Sequence, residues 1–453
     1  MGDLRYAVRM LRKSPGFTLT VTGLLALGIG ANTAIFSALD ALLLRPLAVR
    51  EPQKLIRLVQ VIPRLGVTSS FDQEVYRGLQ RAKTLSTVFG DGELAIAMDD
   101  PKPAEQVRVH LVTPEFFDAL GVSALYGRAL SASDAADAPG TPPAVLSYGF
   151  WQRRFEGDTH AIGRIFSLRG RKFTIVGVMP REFNGISADN TPDIRTPLRV
   201  LPLLQFRTPL RADQMALELA ARLKPGVTID QARAECTAIW HAATEVVMRN
   251  VHASPDSIAE ELSRGLQIES LEHGVSMLRD KFGPAVKSLA AGAALLLLLM
   301  CSNVAGLLLA RNAARREEMA LRLAMGASRG RLMRQMLLES ALLAAMGSLG
   351  GWAIAEAALP LLAHALPPMR DRMTTQLAFS LDLRPDLRVL LFAIAATILT
   401  ATIFGLAPAL SSSRLPLDSI LRGARASRSN GPRSALVVFQ VALCTLLLAG
   451  AGL

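Results

Sequence analysis

Apolar positions along this chain come in two textures. In five places they run almost uninterrupted for about as long as a helix needs to cross a bilayer, roughly 18 residues or more. The runs predict membrane helices at 17–44, 286–310, 337–365 and 387–410, with 434–453 beginning a fifth. The third run is the least clean, since it carries Glu339, Glu356, Pro360 and His364. The first follows Arg5, Arg9, Arg12 and Lys13, a start that resembles a secretory signal. Its apolar stretch is longer than a signal's usual core, and no small-residue cleavage site follows, so it reads as a retained anchor.

Between the first two runs, over 47–284, the texture changes. "KLIRLVQVI" and "EQVRVHLVT" alternate as strands do, "RKFTIVGVMP" is rich in β-formers and stops at Pro180, and "MALELAARL" reads as the strand of a β-turn-α unit. "FDQEVYRGLQRAKTLS" and "TIDQARAECTAIWHAATEVV" have helical spacing instead. Thr228 with Gln231 three residues on predicts a capping box at the start of the second of these helices. Trp151 and Phe155, four apart, predict a core-facing helical pair. The fold class is therefore an α-helical membrane bundle, four spans plus the start of a fifth, with a large inserted α/β domain outside the membrane.

Composition agrees: half of the 453 residues are apolar and only 5% are aromatic. The placement of the 50 Lys and Arg residues, which give the chain a net charge of +12, sets the orientation. Lys and Arg crowd the 1–16 segment, the 311–336 loop and the 411–433 linker, and the first four spans put all three on one side, the cytoplasmic side by the positive-inside rule. The loop after the third span, with Arg370, Arg372, Arg384 and Arg388, departs from that rule.

Candidate chemistry is sparse. The three cysteines are far apart and the six histidines scattered, so neither a disulfide framework nor a metal site is predicted. Glu105, Glu115, Asp118 and Glu182 show no paired spacing, and Ser147 lacks a nucleophile elbow. No Gly-x4-Gly-Lys-Ser/Thr loop is present, so catalytic, cofactor and metal residues are all expected to be none. Within the spans, Gly23, Gly28 and Gly30, with Gly347 and Gly351, mark close helix packing, and Asn32 and Asn303 are expected to bond to neighbouring helices.

The basic stretch "RREEMALRLAMGASRGRLMRQMLLES" at 315–340 could by itself be a DNA-reading motif, a lipid-facing loop or a docking element. Spans on both sides exclude a duplex, so no nucleic acid is expected as a partner. Ala320, Leu321, Ala324 and Met325 form a small apolar face, Gly326 ends that helix and Ser328 caps the next. Exposed Arg and Met on such a helix suit a groove in a partner protein.

Three stretches carry a family resemblance: "RYAVRMLRKSPGFTLTVTGLLALGIGANTAIFSALDALLLRPL" at 5–47, "PPAVLSYGFWQRRFEGDTHAIGRIFSLRGRKFTIVGVMPREFNG" at 142–185, and 315–340 itself. In this order they resemble MacB/FtsX/LolC-type permeases of ABC systems, the second stretch looking like a MacB-type periplasmic core. Acidobacterial-type duplicated orphan permeases are the subgroup most similar. One full unit is followed by what looks like the linker and first span of a second, as expected of the N-terminal part of a duplicated chain.

The resemblance implies a permease of the bacterial inner membrane that holds no cofactor and uses ATP through a separate cytoplasmic ABC ATPase. It implies mechanotransmission to the outside domain, for efflux or other periplasmic work. Implied partners are that ATPase, a second permease half (homodimer or duplicated half), the lipid bilayer and, for exporting members, a periplasmic adaptor. The implied ATPase-docking residues are Arg315, Arg316, Glu317, Met319, Arg322, Leu323, Met325, Gly326 and Ser328. An alternative, a membrane-anchored sensor or receptor, leaves three spans and the basic loop without a role. A membrane-bound enzyme lacks any catalytic constellation.

Overall fold

In a computed structural model, the described residues are 2–62, 66–100, 104–136, 140–188, 191–204, 217–314, 321, 325, 328–365, 369–370, 376–377, 387–413 and 431–451. They form two compact units. The first comprises Met1–Leu44, Leu278–Pro367 and Leu381–Leu453; the second comprises Arg45–Met277 with Pro368–Ser380.

The first unit is helical. An N-terminal helix, Gly2–Lys13, gives way at Ser14 to the first long helix, Pro15–Leu39, which has proline at its start, where no amide is needed. It ends in a wider π-helical turn, Asp40–Leu44. The second long helix is Met277–Ala314, the third Arg329–Ala365, the fourth Leu387–Ser413 and the fifth Gly431–Ala451. Among the described residues, three stretches are long and apolar enough to cross a membrane: Pro15–Leu44, Leu278–Arg311 and Arg334–Leu359. The apolar parts described in the fourth and fifth helices, Leu387–Leu399 and Val437–Gly450, are shorter.

Small residues decide how these helices pack. A Cβ on Gly30 would stand 2.8 Å from the Gly351 carbonyl oxygen, and one on Gly347 would stand 2.5 Å from Leu25 Cβ. Only bare glycine backbone allows the first and third helices so close. Gly28 faces the second helix, where its missing Cβ leaves room for Met300 Sδ at 2.8 Å, whereas Gly23 faces open space. Beside them Leu11, Val21, Leu25, Ile29, Cys301, Val304, Leu308 and Leu343 make one apolar cluster. Asn32 Nδ2 donates to Ala293 O of the second helix at 2.8 Å, and Gln440 Nε2 of the fifth donates to Asn303 Oδ1 at 3.0 Å. Phe36 stacks on Phe392 of the fourth helix with ring centroids 4.1 Å apart. At the π-helical turn, Arg279 Nε donates to Leu42 O at 3.1 Å and Arg388 Nη1 to Leu44 O at 3.0 Å. The Arg388 guanidinium also stands 3.7 Å from the fully buried Asp40 carboxylate. Two cations thus meet the negative end of the first helix.

The second unit is a sheet covered on both faces. Its strands are β1 Leu55–Ile62, β2 Gly66–Thr68, β3 Ser70–Phe71, β4 Leu85–Asp100, β5 Glu105–Val112, β6 Tyr126–Gly127, β7 Pro143–Leu146, β8 Ile165–Leu168, β9 Arg171–Val178, β10 Ile194–Pro197, β11 Leu217–Leu223 and β12 Gly265–Ser270. They run in the order β12-β1-β11-β4-β5-β10-β7-β9-β6, with β2 on β1, β3 on β11, and β8 between β4 and β9. Most pairs are antiparallel; β10 on β5 and β7 on β9 are parallel.

On one face Ile56, Leu58, Val109, Leu111, Leu146, Ile194 and Leu219 pack beneath the helices Gln73–Leu79, Tyr148–Phe155 and Ile229–Asn250, which contribute Tyr76, Trp151, Phe155, Cys236 and Trp240. Each large apolar side chain buried there contributes about 1.5–3 kcal/mol before chain entropy is set against it. The other face, with Leu55, Phe89, Val112 and Ala220, is covered by the short helix Phe116–Leu120 and by Met179, Phe183 and Ile186. Trp151 and Phe155 are core residues as their spacing implies, and Thr228 with Gln231 forms the full capping box. The helix expected across 71–86 stops at Leu79 instead. Beyond it the Glu235 carboxylate accepts from the Lys83 and Thr84 amides, both at 2.8 Å, and from the Thr84 hydroxyl, which turns the chain into β4.

Candidate functional site

Two features of the second unit stand out from a mostly apolar interior. The first is a line of charge across four neighbouring strands. Register sets Glu218 of β11 beside Asp91 of β4, Glu93 of β4 beside His110 of β5, and His110 beside Arg195 of β10. Alternation puts all five on the face that also carries Phe89 and Val112. Asp91, His110 and Arg195 are buried, and Glu218 at the margin is exposed, accepting from Ser69 Oγ at 2.9 Å. His110 Nδ1 bonds to Asp91 Oδ2, and its Nε2 stands 3.7 Å from Glu93 Oε2.

Burial alone would push the His110 imidazolium down. The Asp91 carboxylate, helped by Glu93, outweighs both burial and the repulsion of Arg195, so the imidazole is raised to about 9. Arg195 is lowered to about 10, chiefly by burial, with Asp91 opposing. Its guanidinium lies 4.9 Å from the Phe183 ring centre and donates to Asn184 O at 2.7 Å. It passes so close to Gly185 that a Cβ there would stand 2.7 Å from Nη2.

A pH dependence with a definite sign follows. Because the folded histidine binds its proton more tightly than an unfolded one, its contribution is full below about pH 6.5 and is lost as pH rises through about 9. On the order of 2–3 kcal/mol of stability should disappear over that interval. Chemical unfolding of the full chain at pH 6, 7.5 and 9 should show this loss, and Asp91→Asn should flatten it. An equally steep decline in the Asn variant would exclude the pair as its source.

The second feature ties together the two strands of chain at the ends of this unit. Leu47 N donates to Glu272 O at 2.9 Å, and Val275 N donates to Ile186 O at 2.8 Å. Gly274, at φ +70, leaves space that a Cβ would fill at 2.7 Å from Leu47 and 2.9 Å from Ile186 O. Arg50 N donates to Leu120 O at 2.9 Å. Beneath it the buried Arg222 guanidinium of β11 gathers the carbonyls of Arg50, Glu51 and Ala119. Both connections are therefore fastened to the sheet and, through Leu47 and Glu272, to each other.

Sequence reasoning found neither feature, because the partners lie far apart in the chain. Only the alternation of "EQVRVHLVT", which puts Arg108 and His110 on one face of β5 and Val109 and Leu111 on the other, was visible. Of the docking residues expected on the basic loop, Met325 and Ser328 are exposed, as is Leu321 on the same turn; the Met325 amide donates to Leu321 O at 3.0 Å. Ser328 stands next to the start of the third helix at Arg329. Arg315, Arg316, Glu317, Met319, Arg322, Leu323 and Gly326 lie outside the described residues. Gly28, Gly30, Gly347 and Gly351 lie at helix contacts and Gly23 does not. Glu105, Glu115, Asp118 and Glu182 form no common cluster; Glu115 accepts from Tyr76 Oη. Among the described residues no group of three or more His, Cys, Asp or Glu is placed to hold a metal ion.

Comparison with known proteins gives two family matches, to a MacB-like periplasmic core domain over residues 17–239 and to an FtsX-like permease C-terminal region over residues 290–417. Solved structures similar to this chain include the extracellular domain of the noncanonic ABC-type transporter YknZ from Gram-positive bacteria, 14% identical, covering 48% of this chain and 99% of that one with a TM-score of 0.34. The periplasmic region of MacB from Actinobacillus actinomycetemcomitans is 10% identical, covering 52% of this chain and 94% of that one with a TM-score of 0.35. A domain of a putative permease protein from Porphyromonas gingivalis is 15% identical, covering 52% of this chain and 98% of that one with a TM-score of 0.35. No curated protein matches it. The two family regions follow one another without overlap, periplasmic core and then permease, and the chain belongs to the MacB/FtsX-type ABC transporter permeases.

Proposed function

We propose that this permease subunit works in the bacterial inner membrane as a transmitter of movement. A separate cytoplasmic ABC ATPase docks on the 311–336 segment and its nucleotide cycle shifts the helices. The extracytoplasmic domain converts that shift into periplasmic work such as efflux, with four spans, the start of a fifth and a second permease half completing the membrane part. The chain itself binds no cofactor. The observation that carries this reading is the fastening of both ends of the sheet unit to the sheet and to each other, through Arg222, Arg50, Leu47 and Glu272. Movement entering through either connection is then passed to the whole domain instead of being lost in a slack tether.

Docking is testable at Leu321 and Met325, two exposed apolar side chains among the described residues of the basic loop, which are 64% and 78% exposed. A partner groove that takes them should reject charge. The chain purified in mild detergent should retain an ABC ATPase, and Leu321→Glu with Met325→Glu should reduce the retained ATPase at least about tenfold, equivalent to ~1.4 kcal/mol. Undiminished retention by the double variant would place the docking surface elsewhere.

A further inference from the structure

The N-terminal helix Gly2–Lys13 has a cationic face that neither the fold nor the proposed docking uses. Among its described side chains the exposed ones are Arg5, Val8, Arg9, Arg12 and Lys13, which at helical spacing fall within an arc of about 140°. The opposite side is buried at Ala7 and Leu11, which are 1% and 6% exposed, and Leu11 joins the apolar cluster of the long helices. None of the four cations forms an ion pair with a described residue.

The helix is also held in place. Arg311 Nη2, from the second long helix, donates to Met10 O at 3.4 Å and to Ser14 Oγ at 2.8 Å, and its guanidinium lies 4.3 Å from the centre of the Phe17 ring. Thr18 Oγ1 donates to Leu11 O at 2.9 Å. Only Ser14 separates this helix from the long apolar one. If Pro15–Leu44 spans the bilayer, Lys13 lies at the level of the lipid phosphates.

We propose that Gly2–Lys13 is an interfacial anchor whose Arg5, Arg9, Arg12 and Lys13 bind the headgroup phosphates of anionic phospholipids. This rests on the reading of Pro15–Leu44 as a membrane span, and not on the docking of an ATPase. The chemistry favours lipid over a protein partner. Among the described side chains the exposed face carries four cations and Val8 at its margin, while Tyr6 and Met10 are half-buried beyond its edge, so it lacks the exposed aromatic or Met that a protein hot spot needs. Guanidinium and ammonium groups all suit phosphate oxygens, and four at a fixed height match a plane of headgroups.

The full chain reconstituted in phosphatidylcholine nanodiscs doped with spin-labelled phosphatidylglycerol tests this through the preference of the labelled lipid for the protein surface. The wild type should favour phosphatidylglycerol over labelled phosphatidylcholine. The variant R5Q/R9Q/R12Q/K13Q should lose at least half of that preference, and R5K/R9K/R12K should keep it. Neutralising four exposed cations of the sheet unit, R171Q/K172Q/K224Q/R233Q, should leave it unchanged. An unaltered preference in the N-terminal variant overturns the proposal, and so does an equal loss in the sheet-unit variant. So does a variant with unaltered lipid preference that no longer retains the ATPase, since the face would then be a protein contact. Failure to resist carbonate extraction from vesicles would sink the membrane reading itself, a separate outcome.

Discussion

Gly347→Leu is expected to open the contact between the first and third long helices and to expose Cys301 to alkylation. A Cβ at position 347 meets Leu25 Cβ at 2.5 Å, and one turn along, Gly351 lies where a Cβ would stand 3.0 Å from Gly30 N and 3.1 Å from Ala26 O. These neighbours are backbone atoms or the stiff base of a side chain, so no rotamer change relieves the clash. The helices must part, which forfeits the dispersion contacts of Leu25, Ile29 and Leu343 along the seam. Overpacking of this kind costs about 1–3 kcal/mol, and in a membrane no hydrophobic drive between helices offsets it. Cys301 is 5% exposed in the same cluster, while Cys444 is exposed and serves as an internal standard. Burial pushes the third thiol, Cys236, up to about 12, and it should stay silent. In detergent, maleimide labelling of Cys301 relative to Cys444 should accelerate about tenfold or more. Gly23→Leu is the matched control, because a side chain there enters open space. Equal acceleration by both variants would mean that added bulk anywhere in the first and third helices loosens the unit.

That contrast also marks how far the sequence can be read. Small-residue spacing announces a close contact but not its azimuth, so Gly23, Gly28 and Gly30 looked alike; in the fold one faces open space, one the second helix and one the third. Asn32 and Asn303 were legible because an amide in apolar surroundings must find a partner, yet the partners, Ala293 O and Gln440, lie 261 and 137 residues away. Alternation exposed β1 and β5, β-former richness exposed β9, the β-turn-α pattern exposed β11, and the Thr228 capping box lies within four consecutive residues. The charge line could not be seen this way. Asp91, His110, Arg195 and Glu218 meet only because β11, β4, β5 and β10 are neighbours in one register. In linear sequence, Asp91 and His110 are a carboxylate and a histidine at uninformative spacing. The helix expected over 71–86 forms only as Gln73–Leu79 for a related reason. Its local pattern is helical, but a carboxylate from 235 captures the amides at 83 and 84 and ends it.

Arg222→Ala is expected to cost more than any other single truncation in the sheet unit. The guanidinium is 6% exposed; Nε and Nη2 donate to Ala119 O at 3.3 and 2.9 Å, Nη1 donates to Glu51 O at 3.1 Å, and Nη2 also reaches Arg50 O. Removing it leaves three carbonyls, two of them next to a residue with left-handed backbone, Glu51 at φ +45. Each carbonyl left unpaired away from water costs about 1–3 kcal/mol, and the set about 3–5 kcal/mol, a large part of a domain's usual stability. Lysine should not rescue the site, since one ammonium lacks the planar fork that spans three acceptors. The Arg50–Glu51 peptide bond supplies the most direct readout, because its own carbonyl is one of those held. Trypsin should cleave there at least about tenfold faster in the variant, and the thermal midpoint should fall by several degrees. Arg153→Ala, which removes a 60% exposed partner of Asp193, should change either measurement little. If the Ala variant melts within a degree of the wild type and resists trypsin equally, Arg222 is not what holds the entering chain. The proposed route of movement would then have to run through backbone hydrogen bonds, Leu47 N to Glu272 O, Arg50 N to Leu120 O and Val275 N to Ile186 O, without the three carbonyls that Arg222 gathers.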